Sequence, residues 1–194
     1  MQKAFTYCPS CGSKDIKSFY IDAEKTFIRK WQCPSCDFEL YNNIASAVGL
    51  VIFNSNGEVL LETRAKEPKK GLLVFPGGFT DPNETAEEAA IRECREEIGV
   101  TPLNVKYLCS FPNNYEFKNH LYKTCDMFFT AELPKSYSFN TQQSEVSALQ
   151  WVKADSISLI EEIPLAFDSA KKTLNFYLSE KEENQEEEYP EENS

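Results

Sequence analysis

The sequence predicts an α/β fold: a mixed sheet between helices, preceded by a small separate element built on four cysteines. Three observations carry this reading. Residues 85–99 hold one strongly marked amphipathic helix. Short apolar runs separated by turn residues flank it on both sides. Two Cys-x2-Cys pairs, Cys8/Cys11 and Cys33/Cys36, precede all of these, with 21 residues between the pairs. At 194 residues the chain has room for one ordinary domain and one small one. The expected division is 1–42 for the cysteine element, 43–179 for the α/β domain and 180–194 for an acidic tail.

Between the cysteine pairs, Phe19-Tyr20-Ile21 and Phe27 to Gln32 read as short strands. The spacing is near the usual range for a four-cysteine zinc site. Thiolates from two tight turns close a tetrahedron and leave no open position for a substrate. Two disulfides or a redox pair are the alternatives. Disulfides suit a secreted chain. Met1-Gln-Lys-Ala leads into no apolar stretch long enough for a signal peptide, so a cytoplasmic location is expected. A thioredoxin-like redox pair needs a βαβ context, which is missing around these cysteines. So small an element gains little from its own core, and Zn2+ would supply the missing stability. The arrangement resembles a zinc ribbon.

Ala45 to Phe53 reads as an apolar strand, Asn54 to Gly57 as a turn, and Glu58 to Arg64 as the returning strand. Leu72 to Phe75 is a further apolar run, ended by the tight turn Gly77-Gly78. The loop continues through Asp81-Pro82-Asn83. Thr85 and Glu88 form a Thr-x-x-Glu capping box, so a helix starts there, and Gly99 ends it. Ala90, Cys94 and Ile98 recur every four residues, and Ala86 and Ile91 widen that stripe. Strands follow at Val105 to Phe111, Leu121 to Leu133 and Val146 to Val152. Pro164 to Ser179 should form a closing helix, with Leu165, Ala166, Ala170, Leu174 and Tyr177 inward. Cys94, Cys109 and Cys125 sit in apolar contexts and read as small core residues.

Glu93 and Glu97 lie one helical turn apart, about 40° around the axis at roughly 100° per residue. Glu96 stands beside them. Like charges at this spacing repel by a few tenths of a kcal/mol, a cost that a solvated helix face tolerates. A hard divalent cation, which needs several carboxylate oxygens at once, would turn the repulsion into attraction. The glycine turn before the helix and Arg92 beside the carboxylates favour the cation.

Together, Gly78, Glu84, Arg92-Glu93, Glu96-Glu97, Gly99 and Val100 resemble the Nudix box, G-x5-E-x7-R-E-U-x-E-E-x-G-U, where U is aliphatic. Eight of nine defined positions fit, and Cys94 stands at the first U. The resemblance implies an α/β/α Nudix sandwich over 43–179. It implies Mg2+- or Mn2+-dependent hydrolysis of a nucleoside diphosphate linked to another moiety, such as ADP-ribose, NADH or a nucleotide sugar. The products would be a nucleoside monophosphate and a phosphorylated remainder. Glu93, Glu96 and Glu97 match the family's metal-binding and catalytic positions, with a backbone carbonyl at the Gly77-Gly78 turn, assigned to Gly78, as a further ligand. Glu84 and Arg92 match an ion pair that braces the loop. The proton of the attacking water would pass to Glu97 or a downstream acid.

A four-cysteine ribbon directly before such a domain resembles the NADH pyrophosphatase branch. That branch carries S-Q-P-W-P-F-P-x-S shortly after the box. The corresponding stretch here is Ser110-Phe-Pro-Asn-Asn-Tyr-Glu-Phe117, which keeps Ser110 and Pro112 but lacks the aromatic-proline array. Tyr115 and Phe117 are candidates to stack on a base or fix a ribose; packing of a loop is the other reading. Glu145 is a candidate extra metal ligand or base, and Arg64 a candidate phosphate contact. The only histidine, His120, reads as a solvated loop residue.

Net charge is 20 − 31 = −11. Residues 180–194 hold eight Glu and one Lys, which is −7, so residues 1–179 carry −4. The tail has little to bury and reads as disordered. A mildly acidic body argues against broad nucleic-acid binding by charge. No run of 18 apolar residues exists, so no membrane span is expected. A homodimer is compatible with this reading, and so is a non-catalytic nucleotide sensor built on the same domain. The intact carboxylates favour the enzyme.

Overall fold

The computed structural model describes residues 5–118 and 120–188. The chain divides into two compact units. One comprises the residues up to Ala45 together with Tyr115–Lys123; the other comprises Ser46–Asn114 and the chain from Thr124 onward.

In the first unit, β1 (Lys17–Tyr20), β2 (Ile28–Gln32) and β3 (Glu39–Tyr41) form an antiparallel sheet in the order β1-β2-β3. The third strand was not legible in the sequence, being three exposed residues long. Both cysteine pairs sit in matching turns. Cys8 N–H donates to Ser13 O and Cys33 N–H to Phe38 O, each at 2.8 Å. Each turn takes a positive φ just after its second cysteine, at Gly12 (72°) and Asp37 (57°). Buried apolar residues are few: Ile28 and Trp31 join Cys8 and Cys33, with the Phe5 ring edge-on to Trp31 at 4.8 Å.

Further along the chain come β4 (Ala45–Ile52), β5 (Glu58–Arg64), β6 (Leu73–Val74), α1 (Ala86–Ile98), β7 (Leu103–Phe117), β8 (His120–Glu132), β9 (Val146–Lys153), α2 (Ile157–Glu162) and α3 (Asp168–Glu188), in the second unit except for Ala45 and Tyr115–Lys123, which belong to the first. The strands form two three-stranded sheets, β4-β8-β7 and β6-β5-β9. A parallel bridge, Leu73 to Leu165, accompanies the antiparallel pairs of β5 with β6 and β9. The predicted mixed sheet with helices is therefore present, divided in two.

Period-two alternation sorts the strand residues between two cores. Leu50, Ile52 and Leu60 pack with Ala89, Ala90, Cys94 and Ile98 of α1. Val51, Val59 and Leu61 pack instead with Ile160 of α2 and Ala170 and Leu174 of α3. Cys109 belongs to this second core and Cys94 to the first, as small apolar residues.

Three stretches differ from expectation. Residues 112–117 continue β7 and are not a loop, and His120 is the exposed first residue of β8. Ladder pairing in the long hairpin overrides the turn propensity of Pro112-Asn113-Asn114. The closing helix starts at Asp168, not Pro164, because Leu165 and Ala166 pair with β6. It also continues to Glu188, beyond the expected end at Ser179, since Glu and Lys are good helix formers. The expected disorder of 189–194 lies outside the described residues.

Candidate functional site

Helix α1 sets the site. Thr85 Oγ1 accepts from Glu88 N–H (3.2 Å) and Glu88 Oε2 accepts from Thr85 N–H (2.8 Å), closing the predicted capping box. Gly99 ends the helix in the left-handed region, with φ of 76°. The buried face carries Ala89, Ala90, Cys94 and Ile98, and with them one carboxylate, Glu97.

The Gly77-Gly78 turn lies directly against two helix carboxylates. Gly77 N–H donates to Glu97 Oε2 at 2.7 Å. A Cβ on Gly78 would stand 2.5 Å from Glu93 Oε1, so only glycine lets that carboxylate reach the turn. The Gly78 carbonyl accepts from Val48 N–H at 2.8 Å and keeps one lone pair for a cation.

Arg92 ties the turn to the helix. Its Nε and one terminal nitrogen donate to the two Glu84 oxygens at 3.1 and 2.6 Å. The same nitrogen reaches Phe79 O at 3.0 Å. The other terminal nitrogen donates to Glu93 Oε1 (2.9 Å) and Glu96 Oε2 (3.3 Å). The brace predicted from Glu84 and Arg92 is thus a bidentate pair. It holds the Glu84 carboxyl below its ordinary range, with the Asp81 N–H adding to the effect.

Glu145 comes from a loop that the end of α1 fixes in place. Asn140 N–H donates to Ile98 O and Gln142 N–H to Glu97 O, both at 2.9 Å. Lys66 Nζ holds Glu145 Oε1 at 2.6 Å. The Glu145 charge acts on both Glu93 and Glu97. The sequence named four carboxylates, of which Glu93 and Glu97 lie against the Gly77-Gly78 turn, Glu96 against Arg92 and Glu145 against Lys66.

It missed a fifth, Glu62 of β5. This residue shares the α1-facing side of the strand with Leu60, is 2% exposed and touches Glu97. The available signal was a single Glu closing the run Val59-Leu60-Leu61. Burial, followed by the neighbouring carboxylates, pushes Glu62 well above the ordinary range. Burial likewise raises Glu93, against Arg92, and raises Glu97 to about 8, against the Gly77 N–H.

Carboxylate oxygens around a tight backbone turn are the donor set of a hard divalent cation. The orphaned Glu62 Oε1 and the cradle at Gly78 fit that chemistry.

In the first unit, the Sγ atoms of Cys8, Cys11, Cys33 and Cys36 all lie within 4.8 Å of one another. Cys8 to Cys36 is 3.7 Å and Cys11 to Cys33 is 3.8 Å. Tetrahedral Zn–S bonds of about 2.3 Å require S···S edges of about 3.8 Å. A disulfide requires about 2.05 Å. All four are free thiols, and their geometry fits a zinc ribbon.

Other candidates are placed differently. Arg64 Nε donates to Pro68 O at 2.7 Å, and its guanidinium lies 5.6 Å from the Phe167 ring centre. Among the described residues no hydrogen bond or ion pair joins it to the carboxylates. Tyr115 and Phe117, with ring centres 6.5 Å apart, belong to the first unit. No helix among the described residues is long and apolar enough to cross a membrane.

The chain is 28% identical over 180 residues to the NAD-capped RNA hydrolase NudC of Deinococcus radiodurans, covering 92% of this chain and 58% of that protein. Over 65 residues it is 43% identical to the ADP-ribose pyrophosphatase of Methanocaldococcus jannaschii, which is 34% of this chain and 38% of that one. It spans about half the length of the curated relatives it matches. The crystal structure of a NUDIX hydrolase from Nitrosomonas europaea superposes with a TM-score of 0.66 at 24% identity, covering 94% of this chain and 93% of that one. The NUDIX domain family matches residues 44–176, well over half of the chain, and the protein is a member of that family.

Proposed function

We propose that the protein is a Nudix pyrophosphohydrolase. It cleaves the diphosphate linkage of a nucleoside diphosphate joined to another moiety and releases a nucleoside monophosphate and a phosphorylated remainder. The observation that carries this reading is the gathering of Glu93, Glu97 and Glu145 with the Gly77-Gly78 turn, Glu96 standing alongside. Glu93, Glu96, Glu97, Glu145 and the Gly78 carbonyl would hold Mg2+ or Mn2+. A bound divalent cation supplies neutralising charge for the diphosphate and acidifies water for attack.

The rest is the work of the chain's own residues. Arg92 fixes Glu93 and Glu96 in direction while Glu84 fixes Arg92. Gly77 N–H aims Glu97. The attacking water gives its proton to a carboxylate of the cluster, Glu97 or another acid beside it. Arg64 offers a cation for phosphate. In the first unit, Cys8, Cys11, Cys33 and Cys36 would hold a structural Zn2+.

The test is a substrate panel with Mg2+ or Mn2+, resolved by product chromatography. It contains ADP-ribose, NADH, nucleotide sugars and, because a relative is a NAD-capped RNA hydrolase, an NAD-capped oligonucleotide. At least one compound should yield a nucleoside monophosphate only when the cation is present. No hydrolysis of any member would reject the reading.

A further inference from the structure

The buried acid on β5 is unexplained by the motif. Glu62 lies outside the box, 31 positions before Glu93, in a strand whose neighbouring positions Leu60 and Leu61 are fully buried. It is one of the largest fully buried side chains of the fold. Its Oε1 has no hydrogen-bond partner among the described residues. An unpaired polar oxygen in such a place is destabilising, and more so when its group is charged. An apolar residue would fill the same strand position without that cost. The rest of its carboxyl faces Glu97, itself held by Gly77 N–H at 2.7 Å. Glu93 and Glu145 also act on it. The charged groups that act most strongly on Glu62 are thus other acids.

We propose that Glu62 is a further ligand of the divalent cation, reaching it directly or through one water, so that the site draws on β5 as well as on α1. This rests on the cation-dependent reading above. A divalent charge is the element that would satisfy the orphaned oxygen and offset repulsion among the gathered carboxylates at once. Hard cations also accept more oxygen ligands than a single helix face can direct at one point.

Titrating the full-length protein with Mn2+, by calorimetry and by the electron paramagnetic resonance signal of free Mn2+, tests this without any substrate. Glu62→Gln keeps shape and removes the charge. Glu62→Val is a second variant suited to a buried strand. Both should fold without cation, since each removes a buried acid, and melting curves check this. Each should bind Mn2+ about 10- to 100-fold more weakly than the parent, the loss usual for a supporting metal partner. The Mn2+-induced rise in Tm should shrink accordingly. Parent-like Mn2+ affinity and stoichiometry in a folded variant would overturn the role of Glu62 and leave the hydrolase reading standing. Failure of the parent itself to bind Mn2+ would overturn both.

Discussion

In the first unit, four sulfurs converge from two turns over little more than Ile28 and Trp31. In the second, carboxylates hang from a helix whose opposite residues are locked into a continuous core of β4, β5 and α1. The sulfurs are soft, and their tetrahedron admits no further ligand. The carboxylates are hard, and their cluster is built beside a backbone turn that a cation and a substrate can share. On the proposed reading, the first unit would need its metal in order to be a fold, and the second would be a fold that gives up stability to hold one. Function sites of this kind are where local rules are broken: Glu97 and Glu62 stand where apolar residues would pack better.

The largest expected effect follows from that asymmetry. Glu97→Gln preserves size and helix propensity but removes a charge from the cluster. Turnover on a confirmed substrate should fall on the order of 10²- to 10⁴-fold, the range for loss of a proton-transferring group. Melting without cation should stay level or rise, because the buried like-charge contacts are relieved. Near-parental turnover would remove Glu97 from the mechanism.

Cys33→Ser tests the other side of the comparison. Elemental analysis of the parent, purified without chelator, should give about one zinc per chain. The variant should lose it, with amide exchange rising through β1, β2 and β3 while β4, β5 and α1 stay protected. Zinc retained in the variant, or exchange rising equally in both units, would erase the distinction drawn between them.

What the sequence made legible was whatever repeats or punctuates locally. The cap at Thr85, the stop at Gly99 and the two cysteine turns each depend on residues within a few positions of one another. The Glu84–Arg92 brace was legible through the motif. Glu62 was not, because the residues facing it lie about 35 positions later in the chain, and a strand acid ordinarily reads as solvent-facing. Ser110 to Phe117 carried turn residues, and only its partner strand β8 makes it extended. Helix α2 has six residues and a Ser156 cap, too short for a periodic signal. The offset of α3 depends on a bridge between Leu165 and Leu73, a pairing across more than ninety residues.

A third test separates the carboxylate cluster from the rest by pH. Glu97 is raised from 4.5 to about 8, by burial first, and Glu62 and Glu93 shift the same way. The folded state therefore holds these protons more tightly than the unfolded chain. That contribution is complete below about 4.5 and is lost as pH rises through about 8. Without cation, Tm should decline over this window. Mg2+ should reduce the decline, and Glu97→Gln should flatten it. A metal-free Tm that climbs toward pH 8 would contradict the proposed burial.

The smallest effect should come from the exposed end of α3. Helix α3 buries Thr173 and Leu174, but Ser179 to Glu183 are exposed. Each exposed turn adds backbone hydrogen bonds at a matching entropy cost, so helix stability comes mainly from packing upstream. The eight Glu after Ser179 also repel one another and other polyanions, an effect that salt screens. Stopping the chain after Ser179 should therefore leave turnover and Tm nearly unchanged at moderate ionic strength, read by the substrate assay and by melting. A large fall in either would show that the segment docks on the body, with Lys66, Lys69 and Lys70 as the cations to mutate next. A rise in turnover would instead show that its negative charge competes with substrate for the site.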